Sequence, residues 1–226
     1  MSLPRALVAW SGGKDSAWAL HLVCEAGEFE VAGLLTTFTE RYGRVTMHGV
    51  REELIAAQAA AAGLPLRRMY IPTPCSNQEY ESLLGASLEA ARAEGVTHVI
   101  FGDLFLADVR EFREKSLAAA GMTPVFPLWH RGTALTAEAM ILGGLKARVA
   151  SVDLARMPRE LAGAEYDEDF VCNLPPSVDP CGENGEFHTF CHGGPMFSSS
   201  LAVRNGETIE RDGFAWMELS LAVPGC

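Results

Sequence analysis

Basic residues are scarce in this 226-residue chain: 18 Lys and Arg stand against 29 Asp and Glu, a formal net charge of −11. That balance opposes the phosphate backbone of nucleic acids, so extended RNA or DNA binding is not expected, although a local basic patch is compatible with it. No apolar run is long enough to cross a bilayer, so no membrane partner is expected. The N-terminus has no basic stretch followed by a long apolar one, which makes cytoplasmic residence the default expectation. The six cysteines, Cys24, Cys75, Cys172, Cys181, Cys191 and Cys226, form no C-x-x-C pair. In a cytosolic chain they read as reduced thiols. There is no internal repeat and no low-complexity tract.

What the chain does have is alternation. Residues 5–10, 30–37, 66–71, 96–101 and 145–153 read as buried strands. Helical segments fall at 15–26, 50–62, 77–94, 108–120 and 134–143, the third opened by a Ser76/Glu79 capping box. Strand–helix alternation of this kind predicts a Rossmann-like α/β fold, a parallel sheet with helices on both faces. From residue 154 the pattern changes. Residues 172–198 are rich in Pro, Gly, Asn and Cys, and two short apolar runs flank Asn205-Gly206, a hairpin signal with a type I′ turn. A third strand is expected at 214–221. The expectation is a nucleotide-binding domain over 1–153 and a small C-terminal α+β substrate or lid domain over 154–226. Exposed hairpin edges in the small lobe make a homodimer an expectation too.

The first strand runs into Ser11-Gly12-Gly13-Lys14-Asp15-Ser16. Two glycines let the backbone approach a ligand, the N–H groups of a helix start converge on one spot, and Lys14 adds a charge. This predicts polyphosphate binding. It is not a Walker A loop, because the position that should hold the first glycine is Val8 and the residue after the lysine is Asp15. It is not the dinucleotide fingerprint either, as no Gly-x-Gly-x-x-Gly follows the strand.

In such sheets ligands sit beyond the carboxyl ends of the strands, where Thr36 and Gly102-Asp103 also fall. Asp103 is a candidate magnesium or ribose ligand, with helix capping as its bland alternative. His48 is a candidate nucleotide or substrate contact. Arg110, Arg113 and Lys115 are candidates for an anionic substrate, but the interleaved Glu111 and Glu114 predict a solvated salt-bridged face for at least two of them. Glu183, Glu186 and His188 place two carboxylates and an imidazole within six positions of a glycine-bearing loop. They could hold magnesium, bind an amine or move a proton; alternatively Glu186 and His188 only stitch the lobes together. Cys181, His188, Cys191 and His192 do not have the spacing of a common structural zinc site. Cys75, ahead of a helix start, is either a nucleophile or a loop cysteine without function.

The hexapeptide 11–16 resembles the PP-loop of the ATP pyrophosphatases, or adenine nucleotide alpha-hydrolases. The stretch from Gly182 to Phe190, Gly-Glu-Asn-Gly-Glu-Phe-His-Thr-Phe, resembles a motif of the diphthine–ammonia ligase family, with further matches at His48, Gly102-Asp103, Arg110, Glu114, 127–129 and 194–197. The resemblance implies that the loop grips the β,γ-phosphates of ATP with Mg2+. A carboxylate is adenylated at the α-phosphate, pyrophosphate leaves, and ammonia or a small amine displaces AMP to give an amide. It implies catalytic roles for Lys14, Asp103, Glu186 and His188. ATP contacts would come from residues 11–16, Thr36 and Gly102, and substrate contacts from His48, Arg110, Glu183 and Asn184. The chain departs from the better-known members after Gly102-Asp103, where Leu104–Arg110 replaces their Ser…Tyr-Gln-Arg tract, and resembles a compact bacterial branch. The reaction class therefore transfers better than the acid substrate. Two other readings stay open: a PP-loop enzyme that adenylates tRNA, and an ATP- or AMP-binding module without catalysis.

Overall fold

The computed structural model describes residues 2–46 and 49–222. The first strand, β1 (Arg5–Ala9), leads through the glycine turn into helix α1 (Lys14–Ala26). Strand β2 (Glu30–Thr39), a two-residue strand β3 (Arg44–Val45), helix α2 (Glu52–Ala62) and strand β4 (Leu66–Ile71) follow. Then come α3 (Asn77–Ala93), β5 (Val96–Ile100), α4 (Ala107–Ala119) and β6 (Thr123–Val125). The parallel strands pair in the order β4-β2-β1-β5-β6, and β3 pairs antiparallel with Phe38 and Thr39 at the far end of β2. The chain thus steps outward from β1 to one side and then returns to β5 on the other. That reversal makes the crevice beyond β1 and β5 the ligand position of an open α/β sheet.

The interior of β1 is buried on both faces, as a covered parallel strand requires. Leu7 packs with Leu88, Val99 and Leu117 towards α3 and α4. Ala6 and Val8 pack on the opposite face with Leu20, Leu54 and the aromatic side chains of the C-terminal half. Gly27 and Gly63 end α1 and α2 in the left-handed conformation (φ 64° and 67°), which glycine adopts at little cost. The Ser76/Glu79 capping box forms at the start of α3 as expected.

Helix α5 (Thr133–Leu142) crosses to a second sheet built from β7 (Lys146–Asp153), β8 (Phe187–Gly193), β9 (Val203–Arg211) and β10 (Phe214–Leu221). A 3-10 turn at Arg159–Leu161 and a short helix α6 (Glu168–Cys172) lie in between. The order is β8-β7-β10-β9, antiparallel throughout. The sequence pattern located the strand at 145–153 but put it in the parallel sheet. It pairs instead with β8 and β10, because a buried apolar run carries no record of its partners.

Two further expectations are corrected. Part of the irregular stretch 172–198 is β8, a buried strand. The hairpin turn is not Asn205-Gly206 but Asp212-Gly213, whose φ angles of 54° and 81° are the pair a type I′ turn demands. Asn205-Gly206 lies inside β9. The Asn205 side chain accepts from Arg148 at 2.7 Å and donates to the Gly163 carbonyl at 2.9 Å. Gly206 sits at a bulge in the pairing with β10, where an added Cβ would lie 3.0 Å from the Glu218 carbonyl.

Candidate active site

The phosphate-type loop forms where β1 ends. Gly12 takes φ 82°, and a Cβ there would strike Ile55 Cδ1 at 2.5 Å. Gly13 is the N-cap of α1 and offers no side chain to the helix start. Ser16 Oγ donates to the Gly13 carbonyl at 3.0 Å, and the Gly13 N–H donates to Ser11 Oγ at 3.2 Å. The Lys14 N–H reaches Thr189 Oγ1 at 3.1 Å. The start of α1 thus has no side-chain cap, an arrangement that attracts anions.

The loop is held from behind by a residue that sequence reasoning passed over. Gln58 is fully buried on α2. Its Oε1 accepts from Trp10 Nε1 at 2.8 Å, and its Nε2 donates to the carbonyls of Gly12 (2.9 Å) and Cys191 (2.5 Å). The Cys191 N–H donates in turn to the Gly12 carbonyl at 2.8 Å. Strand β8 therefore lies directly against the loop. A buried polar residue in an alanine-rich helix was the one signal for Gln58.

Lys14 does not reach outward. Its side chain is 2 % exposed, and Nζ donates to Asp15 Oδ2 at 3.0 Å and to the Cys181 carbonyl. The ammonium also sits 5.2 Å and 5.5 Å from the ring centroids of Phe187 and Tyr166. Burial pulls the ammonium down, but Asp15, Cys181 and Glu183 together hold Lys14 above its ordinary value. Burial likewise pushes the Asp15 carboxyl up against the pull of Lys14. Asp15 Oδ1 is buried with no hydrogen-bond partner.

The glycine-bearing segment forms the opposite wall. A cleft of about 540 Å³ lies between it, the loop and the end of β5. Glu183 Oε1 accepts from the N–H groups of Leu104 (2.8 Å) and Phe105 (3.3 Å), tying the segment to the β5–α4 connection. Burial raises its carboxyl to about 7. Glu186 is 1 % exposed and turns away from the cleft. It accepts from the Asp179 N–H, the Asn184 N–H and Asn184 Nδ2, all at 3.0–3.1 Å. Burial works against that carboxylate's charge, yet these donors keep it below the usual range. His188 lines the cleft, and burial, with the Lys14 charge second, lowers it to about 4. It is a neutral imidazole at pH 7.

The remaining sequence candidates divide. Gly102 packs on the loop itself, since an added Cβ would lie 2.7 Å from the Asp15 carbonyl carbon and 2.8 Å from the Ser16 nitrogen. Thr36 is buried behind the loop and donates to the Trp10 carbonyl at 2.8 Å. Asp103 and Asn184 line the cleft. Arg110 pairs with Glu114 at 2.7 Å and stacks on Phe126 and Trp129, while Lys115 pairs with Glu111 at 2.6 Å. Both belong to the salt-bridged face, and it is Arg113 that lines the cleft. His48 lies outside the described residues.

Among the described residues no three His, Cys, Asp or Glu side chains gather as a metal site. His192 instead faces Glu165 at 3.0 Å, and burial raises the Cys181 and Cys191 thiols to about 12. The donor set does fit magnesium brought in with a nucleotide. That ion takes one or two carboxylates and completes its shell with phosphate and water. Asp15, whose Oδ1 has no hydrogen-bond partner, and Asp103 would be the carboxylates to hold it.

Models of the diphthamide synthase N-terminal and C-terminal domains match residues 4–124 and 135–220. The chain is 25% identical over 230 residues to the diphthine–ammonia ligases of Bos taurus and Homo sapiens, covering 91% of this chain and 85% of theirs. Against the diphthine–ammonia ligase of Danio rerio it is 26% identical over 228 residues, covering 88% and 86%. With both domains matched in order, and the cleft formed where β8 of the second meets the glycine loop of the first, the chain belongs to the diphthamide synthase, or diphthine–ammonia ligase, family.

Proposed function

We propose that this protein is an ATP-dependent ligase that adenylates a carboxylate and converts the acyl adenylate to an amide with ammonia or a small amine. The observation that carries this reading is the glycine loop before α1, whose start has no side-chain cap and which lines a cleft closed by a second lobe. Such a cradle favours charge that builds on a departing pyrophosphate. Ser11, Gly12, Gly13 and Ser16 shape it. Asp15 and Asp103 would hold Mg2+, which neutralises phosphate charge when bound.

In this scheme Lys14 acts from the side. It fixes Asp15 and the Cys181 carbonyl, so the cradle and the facing loop share one geometry. Glu186 shapes the loop that presents Asn184 and Glu183. His188, neutral and in the cleft, suits acceptance of the proton that an attacking amine must lose. The substrate named for the relatives, diphthine, is one member of the acid class this scheme accommodates.

The test is phosphorus NMR of the protein with MgATP, ammonium and a protein-free cell extract as the source of acids. AMP and pyrophosphate should accumulate in equal amounts. Accumulation of ADP and inorganic phosphate would refute the proposal. The net charge of −11 supports an acceptor other than tRNA, and bulk tRNA should give no gel shift at moderate salt.

A further inference from the structure

If the cleft adenylates an acid, two anions must meet there, and its walls already carry Asp15, Asp103 and Glu183. Among the described residues only two cations line it, Lys14 and Arg113. Lys14 is engaged, with its ammonium buried between Asp15, the Cys181 carbonyl and two aromatic rings. Arg113 is not. Its guanidinium lies 4.8 Å from the centroid of Phe101, which is itself stacked on Phe126 at 5.5 Å. Nε is buried and hydrogen-bonded to nothing. The nearest carboxylate oxygen, Asp103 Oδ2, is 3.6 Å away, beyond hydrogen-bond reach. A guanidinium over an aromatic ring, with Nε free of hydrogen bonds, is suited to bidentate binding of a carboxylate.

The neighbours of Arg113 add a second property. Leu106, the N-cap of α4, lines the cleft with Val109 and Arg113, which lie four residues apart on one face of the helix. An acid whose carboxylate meets Arg113 therefore lays its chain along two aliphatic side chains.

We infer that Arg113 binds the carboxylate of the acceptor, and that with Leu106 and Val109 it selects a small acid bearing an aliphatic chain. The inference rests on the ligase reading. The acid's carboxylate oxygen attacks the α-phosphorus of ATP, forming the acyl–phosphate bond and expelling pyrophosphate. The amine nitrogen then attacks the acyl carbon, loses a proton, and releases AMP.

Hydroxylamine serves as the trapping amine. Wild-type protein is incubated with MgATP, hydroxylamine and, separately, unbranched monocarboxylates from acetate to octanoate, and hydroxamate is measured. MgATP binding is followed in parallel by calorimetry. The expected result is hydroxamate from at least one acid. Arg113→Met should raise the KM for that acid at least tenfold while the Kd for MgATP stays within twofold. Arg113→Lys, which keeps the charge and loses the fork, should recover part of the loss, and thermal melts of all three proteins should agree. A Kd for MgATP that rises with the Met variant would overturn the inference by placing Arg113 on a nucleotide phosphate. An unchanged KM, or MgATP binding with no hydroxamate from any acid, would overturn it as well. Failure of wild-type protein to bind MgATP would instead refute the ligase reading.

Discussion

At the scale of single residues, the site is decided by which charges are already partnered. Lys14 looks in sequence like a phosphate ligand, yet its ammonium points into the second lobe. Its loss should therefore be read in stability as well as in turnover. Lys14→Met strands the largely buried Asp15 carboxylate and should cost about 3 kcal/mol in urea denaturation. The double variant Lys14→Met, Asp15→Asn should recover much of that, because the uncompensated charge is gone. His188 gives a pH signature. Its pKa falls from an ordinary 6.5 to about 4 on folding, so below pH 6.5 the unfolded chain takes up the proton first. Stability from this group should be lost as pH falls from 6.5 to 4, and His188→Gln should flatten that limb in thermal melts. Glu183 runs the other way. With its folded pKa raised to about 7, the native state holds the proton more tightly, so stability should fall as pH rises from about 4.5 to 7. Glu183→Gln still accepts from Leu104 and Phe105 and should melt a few degrees higher than wild type at pH 8.

At the scale of elements, the loop works because backbone meets backbone. Gly102, two residues past β5, packs so closely on the first turn of α1 that an added Cβ would lie under 3 Å from its backbone, which cannot yield as a flexible side chain would. Gly102→Ala should cost about 2 kcal/mol through overpacking and weaken MgATP binding, as seen by denaturation and calorimetry on the same protein. The hairpin teaches the same lesson about local signals. Asn205-Gly206 and Asp212-Gly213 lie seven residues apart, and both predict a turn. The choice fell to Asp212-Gly213 because Asn205 is drawn into contacts with Arg148 and Gly163, two residues far off in the chain. The alternation of strands, the helix caps and the turn into α1 needed no such information.

At the scale of the molecule, the two lobes behave as one packed body. Thr189 and Cys191 of β8 bond the glycine loop, Ser198 donates to the Ala61 carbonyl, and Glu218 of β10 bridges Arg44 and Arg51. One buried cluster runs from Val8 and Leu54 to Phe187 and Phe190. Denaturant unfolding should therefore be a single transition, with tryptophan fluorescence and far-UV circular dichroism superimposing in wild type and in Trp216→Phe, which removes the reporter of the second sheet. Two resolved transitions would contradict that picture. The chain's own order fixed the β–α alternation, the glycine cradle and the motif after Gly182, because strand period, helix caps and backbone permissiveness are short-range properties. Tertiary packing alone decided that β7 leaves the parallel sheet, that Lys14 and Glu186 turn inward, and that Arg113 rather than Arg110 reaches the cleft. Those outcomes depend on which partner a charge or an apolar face finds in the folded chain, as Lys14 finds the Cys181 carbonyl, and burial energy is set only when both are in place.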